Sequence, residues 1–168
     1  HSKSCSGAAF SGNGWLEEAV FGPEYSVECV VQRGEIMAMF LTSKFLSPYP
    51  ACDEIGHMSG ELFASTELQH TVSDAVRRIV RAWRLHSGVL HVEFKICKDG
   101  VKVIEAACRV GGDMISALVE SRYGVSLEEC LVLLRCRQDV RPALSRKSQA
   151  GDGSLYGICY LFSENLEA

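Results

Sequence analysis

Apolar and polar positions along the chain fall into two rhythms, and the switches between them mark out the elements. The segments Trp15–Val20, Glu24–Gln32 and Glu35–Phe45 carry apolar residues in alternation or in short unbroken runs, the pattern of strands. Arg33-Gly34 between the last two fits a hairpin turn, so this part predicts an antiparallel meander. The stretch from Ser47 to Gly60 opens on two prolines and many polar residues, which predicts a loop leading into a short extended segment. Between Ser65 and Leu85 the period becomes helical. Val72, Ala75, Val76, Ile79, Val80 and Trp83 share one face, while Arg77, Arg78, Arg81 and Arg84 take the others.

A second hairpin follows, from Gly88 to Arg109, with its turn at Lys98-Asp99-Gly100. After Gly111-Gly112 the pattern predicts helices from Asp113 to about Tyr123 and from Ser126 to Arg137. Ser126 and Glu129 stand at the spacing of a capping box. The polar run Ser145–Ser154 predicts an exposed loop, and Leu155–Glu164 a closing strand. Residues 1–14 are rich in glycine and serine and read as a flexible lead-in, leaving residues 15–168 as one folded domain. The expected class is α+β, a mostly antiparallel sheet with flanking helices.

Composition supports a folded core, with 47% hydrophobic and 23% charged residues in 168. Lys plus Arg number 17 against 21 Asp plus Glu, for a net charge of −4. With no basic surplus, the sequence argues against a nucleic-acid partner and against an anionic membrane surface. No apolar run reaches the length of a membrane span and no signal-peptide pattern is seen, so a cytoplasmic location is expected. The eight cysteines lack zinc-knuckle spacing and sit in apolar runs such as Val27–Val31, which predicts reduced thiols packed in the core.

The second hairpin carries the most informative chemistry. Glu93 in one strand and Glu105 in the next are nearly equidistant from the Asp99-Gly100 turn, so their carboxylates lie close to opposite one another. Like charges so placed are destabilising unless a cation lies between, and Mg²⁺ is commonly held by one or two carboxylates together with substrate phosphates. Arg109 adds a positive charge four residues on, and Gly111 and Gly112 allow close backbone approach to a ligand. The alternative is an ordinary hairpin with two solvent-facing glutamates.

These residues resemble the carboxy-terminal part of an ATP-grasp ligase, from Trp15 to the end. In that superfamily one strand bears a metal-binding Glu and the next reads Glu-x-Asn-x-Arg, which Glu93 and Glu105-Ala106-Ala107-Cys108-Arg109 resemble, with Ala107 in place of the Asn that serves as a usual second-metal ligand. Upstream, Glu17 to Glu28 is similar to the hinge that holds adenine and ribose. The resemblance implies that the Glu18 carbonyl and Val20 amide bond the adenine edge, that Glu17 lies near the exocyclic amine, and that Glu24 binds the ribose. Glu54-Ile55-Gly56-His57 is similar to the Glu-x-Gly-His stretch bordering the acceptor pocket of amino-acid ligases, although a lone His beside such a loop is also an ordinary surface residue.

What the resemblance implies is ATP-dependent joining of a small-molecule carboxylate to an amine through an acylphosphate. ATP and Mg²⁺, with Mn²⁺ as an alternative, are the cofactors. Glu93 and Glu105 would hold the metal; Arg109 with the backbone at Gly111 and Gly112 would stabilise the transferring phosphoryl group; Glu54 and His57 would place substrate. The family's amino-terminal lobe, with its lysines and Gly-rich loop, has no counterpart in residues 1–14, so the chain is expected to be one lobe of a longer ligase, inactive alone. A carboxylase-type or purine-pathway member, or a truncated nucleotide-binding or interaction domain, are the alternatives.

Overall fold

The computed structural model describes residues 17–48, 52–59, 66–145 and 154–161. Among them, six strands and four helices follow the chain order β1 (Glu24–Gln32), β2 (Glu35–Leu46), β3 (Glu54–Ser59), α1 (Thr66–Ala82), β4 (Gly88–Cys97), β5 (Gly100–Ala107), α2 (Ile115–Tyr123), α3 (Leu127–Arg135), α4 (Arg141–Leu144) and β6 (Tyr156–Cys159). The strands form one sheet in the order β5-β4-β1-β2-β3-β6, and every pairing is antiparallel. The expected α+β class, with helices flanking an antiparallel sheet, is what the chain adopts.

Alternation along β1 divides the sheet into two faces. Val27, Cys29 and Val31 point to one, where they pack with Leu41, Leu90, Val92 and Phe94 against Val72, Val76 and Val80 of α1. On the other face, Val30, Phe40 and Val89 pack under α2 and α3 through Val119, Leu127, Cys130 and Leu134. That second core covers only one end of its face. The remainder, beginning at Glu28, carries polar residues.

The helices begin where their caps dictate. Ser126 accepts the Glu129 N–H at 3.3 Å, satisfying an otherwise orphaned donor at the start of α3. Helix α2 starts at Ile115 rather than Asp113, because Asp113 and Met114 both have left-handed backbone (φ 50° and 60°) and cannot enter a right-handed helix. The single turn α4, with a proline in its first turn, has no counterpart among the expected elements.

Four expectations need correction. Residues 17–20, read as a strand, have no regular structure, and Pro23 carries no N–H for a ladder. Trp83 is 49% exposed, since α1 ends at Ala82 before the periodic face is complete. Among the described residues the closing strand spans Tyr156–Cys159, and residues 162–164 of the expected strand lie outside them. Of the seven described cysteines, none in a disulfide, only Cys29 and Cys130 are buried; Cys52, Cys108, Cys136 and Cys159 are exposed. Cys159 is exposed because β6 is an edge strand. The proposed lead-in, residues 1–14, and most of the loop from Ser145 to Ser154 lie outside the described residues.

Candidate functional site

The polar part of the second face is built by register. Across it, Lys95, Glu24, Lys44 and His57 align on β4, β1, β2 and β3, and beside them run Glu93, Ser26, Thr42 and Ser59. His91 pairs with Glu28 in the next row, and Glu105 of β5 pairs with Glu93. Three bulges make this alignment possible. The ladder breaks between Val30 and Val31, between Phe45 and Leu46, and between Glu93 and Phe94, each time by one residue. In a regular strand residues three apart face opposite ways; the extra residue at Ile55 puts Glu54 and His57 on the same side.

Lys44 is the centre of the arrangement. Its ammonium donates to Glu24 Oε1 at 2.9 Å, to Glu93 Oε1 at 2.7 Å and to Glu54 Oε1, with the lysine side chain 1% exposed. Burial alone would lower the Lys44 pKa, but the three carboxylates reverse that and hold it above the ordinary lysine value. Glu24 is held from its other side by Lys95, whose Nζ lies 3.3 Å from Oε2 and donates to the Val20 carbonyl at 3.2 Å. The segment before β1 is thereby tied to the site, with Glu17 and Glu18 exposed.

A second charged knot lies one row away. Glu28, fully buried, accepts from His91 Nδ1 and from the Gly111 N–H at 3.1 Å, while His91 Nε2 faces Glu93 Oε1 at 3.1 Å. Desolvation opposes a charge on His91, yet the two carboxylates prevail and raise its pKa to about 9. The His91 hydrogen bond, with the Lys44 ammonium, holds Glu93 down at about 2, so this carboxylate stays ionised.

His57 differs from its neighbours. It is 1% exposed, its ring meets Tyr160 edge-on at 5.6 Å, and burial lowers its pKa, which keeps the ring neutral near pH 7. Its Nε2 is 3.3 Å from Glu54 Oε2, but the alignment is wrong for a hydrogen bond and neither ring nitrogen has a partner. The buried hydroxyls of Ser26 and Thr42 are likewise unpartnered.

The sequence-derived candidates therefore separate into groups. Glu24, Glu54, His57 and Glu93 come together around Lys44. Glu105 sits opposite Glu93 but is 58% exposed, with Arg109 3.9 Å away and also solvent-facing. Gly111 packs against Glu28 and His91, where a Cβ would lie 2.7 Å and 3.0 Å from their polar atoms, and its amide is engaged by Glu28; a Cβ at Gly112 would meet nothing within 4 Å. Glu17, Glu18 and Val20 lie in the irregular segment before β1. Lys44, Glu28, His91 and Lys95 are absent from the sequence-derived candidates. A carboxylate inside Val27–Val31 and a histidine inside Val89–Val92 were the available signal, since isolated polar groups in apolar runs need buried partners.

The set suits a hard divalent cation at Glu93 and Glu105. Among the described residues both contacts to Glu93 fall on Oε1, which leaves Oε2 on the ionised carboxylate that faces Glu105 across the ladder. No described helix is long and apolar enough to cross a membrane.

The chain is similar to known proteins in sequence and in fold. The family model described as "ATP-grasp domain" matches residues 6–117. Carnosine synthase 1 from Homo sapiens is 30% identical over 162 residues, covering 94% of this chain, and the Mus musculus protein is 32% identical over 162 residues. The chain spans 19% of the length of each. Among solved structures, phosphoribosylglycinamide synthetase from Anaerococcus prevotii superposes with a TM-score of 0.68 at 19% identity, covering 79% of this chain and 33% of that one. L-amino acid ligase from Bacillus licheniformis gives 0.62 at 22% identity, covering 81% of this chain and 34% of that one.

Proposed function

The chain belongs to the ATP-grasp domain family, and from that premise we propose that it is the metal-bearing part of an ATP-dependent ligase joining an amino-acid carboxylate to an amine through an acylphosphate. The observation that carries the reading is the pairing of Glu93 with Glu105 on the polar face, with Glu93 held ionised beside them. The similarity to carnosine synthase 1, at 30% identity over nearly the whole chain, supports an amino-acid substrate class.

In this reading Glu93 and Glu105 hold Mg²⁺, or Mn²⁺, against the nucleotide phosphates. A cation held there would supply positive charge to the nucleotide phosphates during transfer. The protein's own contribution is position and charge. Arg109 and the open backbone at Gly112 face the transferring group, whereas Gly111 keeps the loop against Glu28. Glu17, Glu18 and Val20 supply the adenine contacts, and Glu24, fixed by Lys44 and Lys95, lies on the ribose side. Glu54 and the neutral His57 border the acceptor substrate, an arrangement suited to receiving an ammonium group and accepting a proton from it. The remaining nucleotide contacts belong to a lobe outside these residues, in keeping with the one-third share of each solved neighbour that the chain covers.

Glu105→Gln tests the reading. Because Glu105 is more than half exposed, the substitution leaves thermal stability within roughly 0.5 kcal/mol of the parent. It weakens Mn²⁺ binding to this chain, followed by electron paramagnetic resonance. Unchanged Mn²⁺ affinity in the folded variant removes the metal role.

A further inference from the structure

We propose that Lys44 is the resident cation of the Glu24–Glu54–Glu93 cluster, a positioning residue that gathers three carboxylates at one point and keeps a divalent ion out of it. The proposal extends the reading of Glu93 as a metal ligand and asks how many metals the face takes.

One oxygen from each of Glu24, Glu54 and Glu93 lies within 4.8 Å of the others, a spacing at which three acidic groups can share a metal ion. Hard divalent cations take carboxylate oxygens in that way. Here the place is filled from within. An ammonium has three donors and no acceptor, so three carboxylates saturate it. All three contacts are made, and the side chain is closed off from solvent. The β2–β3 bulge at Ile55 brings Glu54 to this face, and the β1–β2 bulge sets Lys44 opposite Glu24.

Charge then assigns the metal its place. Lys44, Lys95 and the protonated His91 stand against Glu24, Glu28, Glu54 and Glu93, so one net negative charge remains to attract a dication while Lys44 blocks the centre of the three-carboxylate cluster. The Glu93 oxygen that neither Lys44 nor His91 contacts is Oε2, and Glu105 is the cross-strand neighbour of Glu93. Ala107, two residues beyond Glu105, supplies no donor for a further ion. At these three carboxylates Lys44 is fixed charge in the place of a divalent cation, which leaves Glu93 and Glu105 as the neighbouring metal position.

Lys44→Met converts the cage into a metal site. Mn²⁺ titration of this chain, counted by electron paramagnetic resonance, is expected to show one added site in the variant, roughly tenfold or more tighter than any Mn²⁺ binding of the parent at the same carboxylates, since ligand charge tunes such affinities over decades. The added site persists in Lys44→Met/Glu105→Gln and is lost in Lys44→Met/Glu54→Gln. A folded Lys44→Met chain with no added site overturns the proposal. Should Lys44→Met be unfolded without metal, recovery of the cooperative thermal transition in millimolar Mn²⁺ supports the proposal, and failure to recover overturns it. Loss of the Glu93–Glu105 site reads separately, through Glu105→Gln in the parent background.

Discussion

The Gly111 backbone N–H donates to Glu28 Oε2 at 3.1 Å, joining the loop after β5 to a carboxylate buried at the centre of the sheet. Glu28 turns its other oxygen to His91, so neither side chain has room to withdraw. Gly111→Ala places a methyl group 2.7 Å from Glu28 Oε1 and 3.0 Å from His91 Nδ1. We expect it to cost about 1–3 kcal/mol, the usual range for overpacking a filled interior. Gly112→Ala, whose Cβ meets nothing within 4 Å, is the control. Urea denaturation of both decides the matter: equal midpoints would mean that the Glu28 knot yields without cost.

The same knot gives stability a pH dependence. His91 titrates at about 9 in the folded chain, against an ordinary value of 6.5. A raised histidine pKa means that the folded state keeps a proton which the unfolded chain releases. The contribution is complete below about 6.5 and disappears as pH rises through 9, with every tenfold gain in proton affinity amounting to ~1.4 kcal/mol. Glu93, lowered to about 2 from 4.5, records part of the same interaction from the acid side, where stability is lost as pH falls from 4.5 toward 2. Unfolding free energy should therefore decline between pH 6.5 and 9.5 by an amount on the order of a few kcal/mol. His91→Gln should flatten that limb, and an equal slope in both proteins would remove His91 as its source.

How much of this could be read from the chain depends on periodicity. The two hairpins and α1 were legible because Arg33-Gly34, Lys98-Asp99-Gly100 and the Val72–Val80 face are local signals. The pairing of Glu93 with Glu105 was legible to within one position: an unbroken ladder counted from the turn sets Ile104 opposite Glu93, and the bulge there moves Glu105 into place. Lys44 was not. Counting from Arg33-Gly34 without a bulge sets Ser43 opposite Glu24, and the extra residue in β2 moves Lys44 there instead. Counting along β3 likewise separates Glu54 from His57, until Ile55 bulges. A bulge is a tertiary compromise with no strong local signature, so the residues it gathers stay hidden in sequence. The cysteines failed for a different reason: apolar flanks do not say which positions the packing covers, and Cys52, Cys108 and Cys136 fall just outside regular elements.

Thiol chemistry tests that last distinction. Cys29 is fully buried at the middle of β1, and burial, reinforced by the neighbouring Glu28 charge, pushes its thiol up to about 12. The thiolate is the reactive form, so Cys29 is protected both sterically and by its protonation. Cys52, Cys108, Cys136 and Cys159 are exposed and lack the steric protection. Under native conditions at pH 8 a maleimide or disulfide reagent should label those four in a fast phase, while Cys29 reacts only when the sheet opens. Because Cys29 lies on the strand flanked by β2 and β4, its labelling rate should approach that of global unfolding and rise with urea along the unfolding curve. Peptide mapping of the labelled chain identifies the sites. Labelling of Cys29 in the fast phase would show that β1 opens locally, and that the floor of the polar face is less rigid than the Lys44 and His91 networks require.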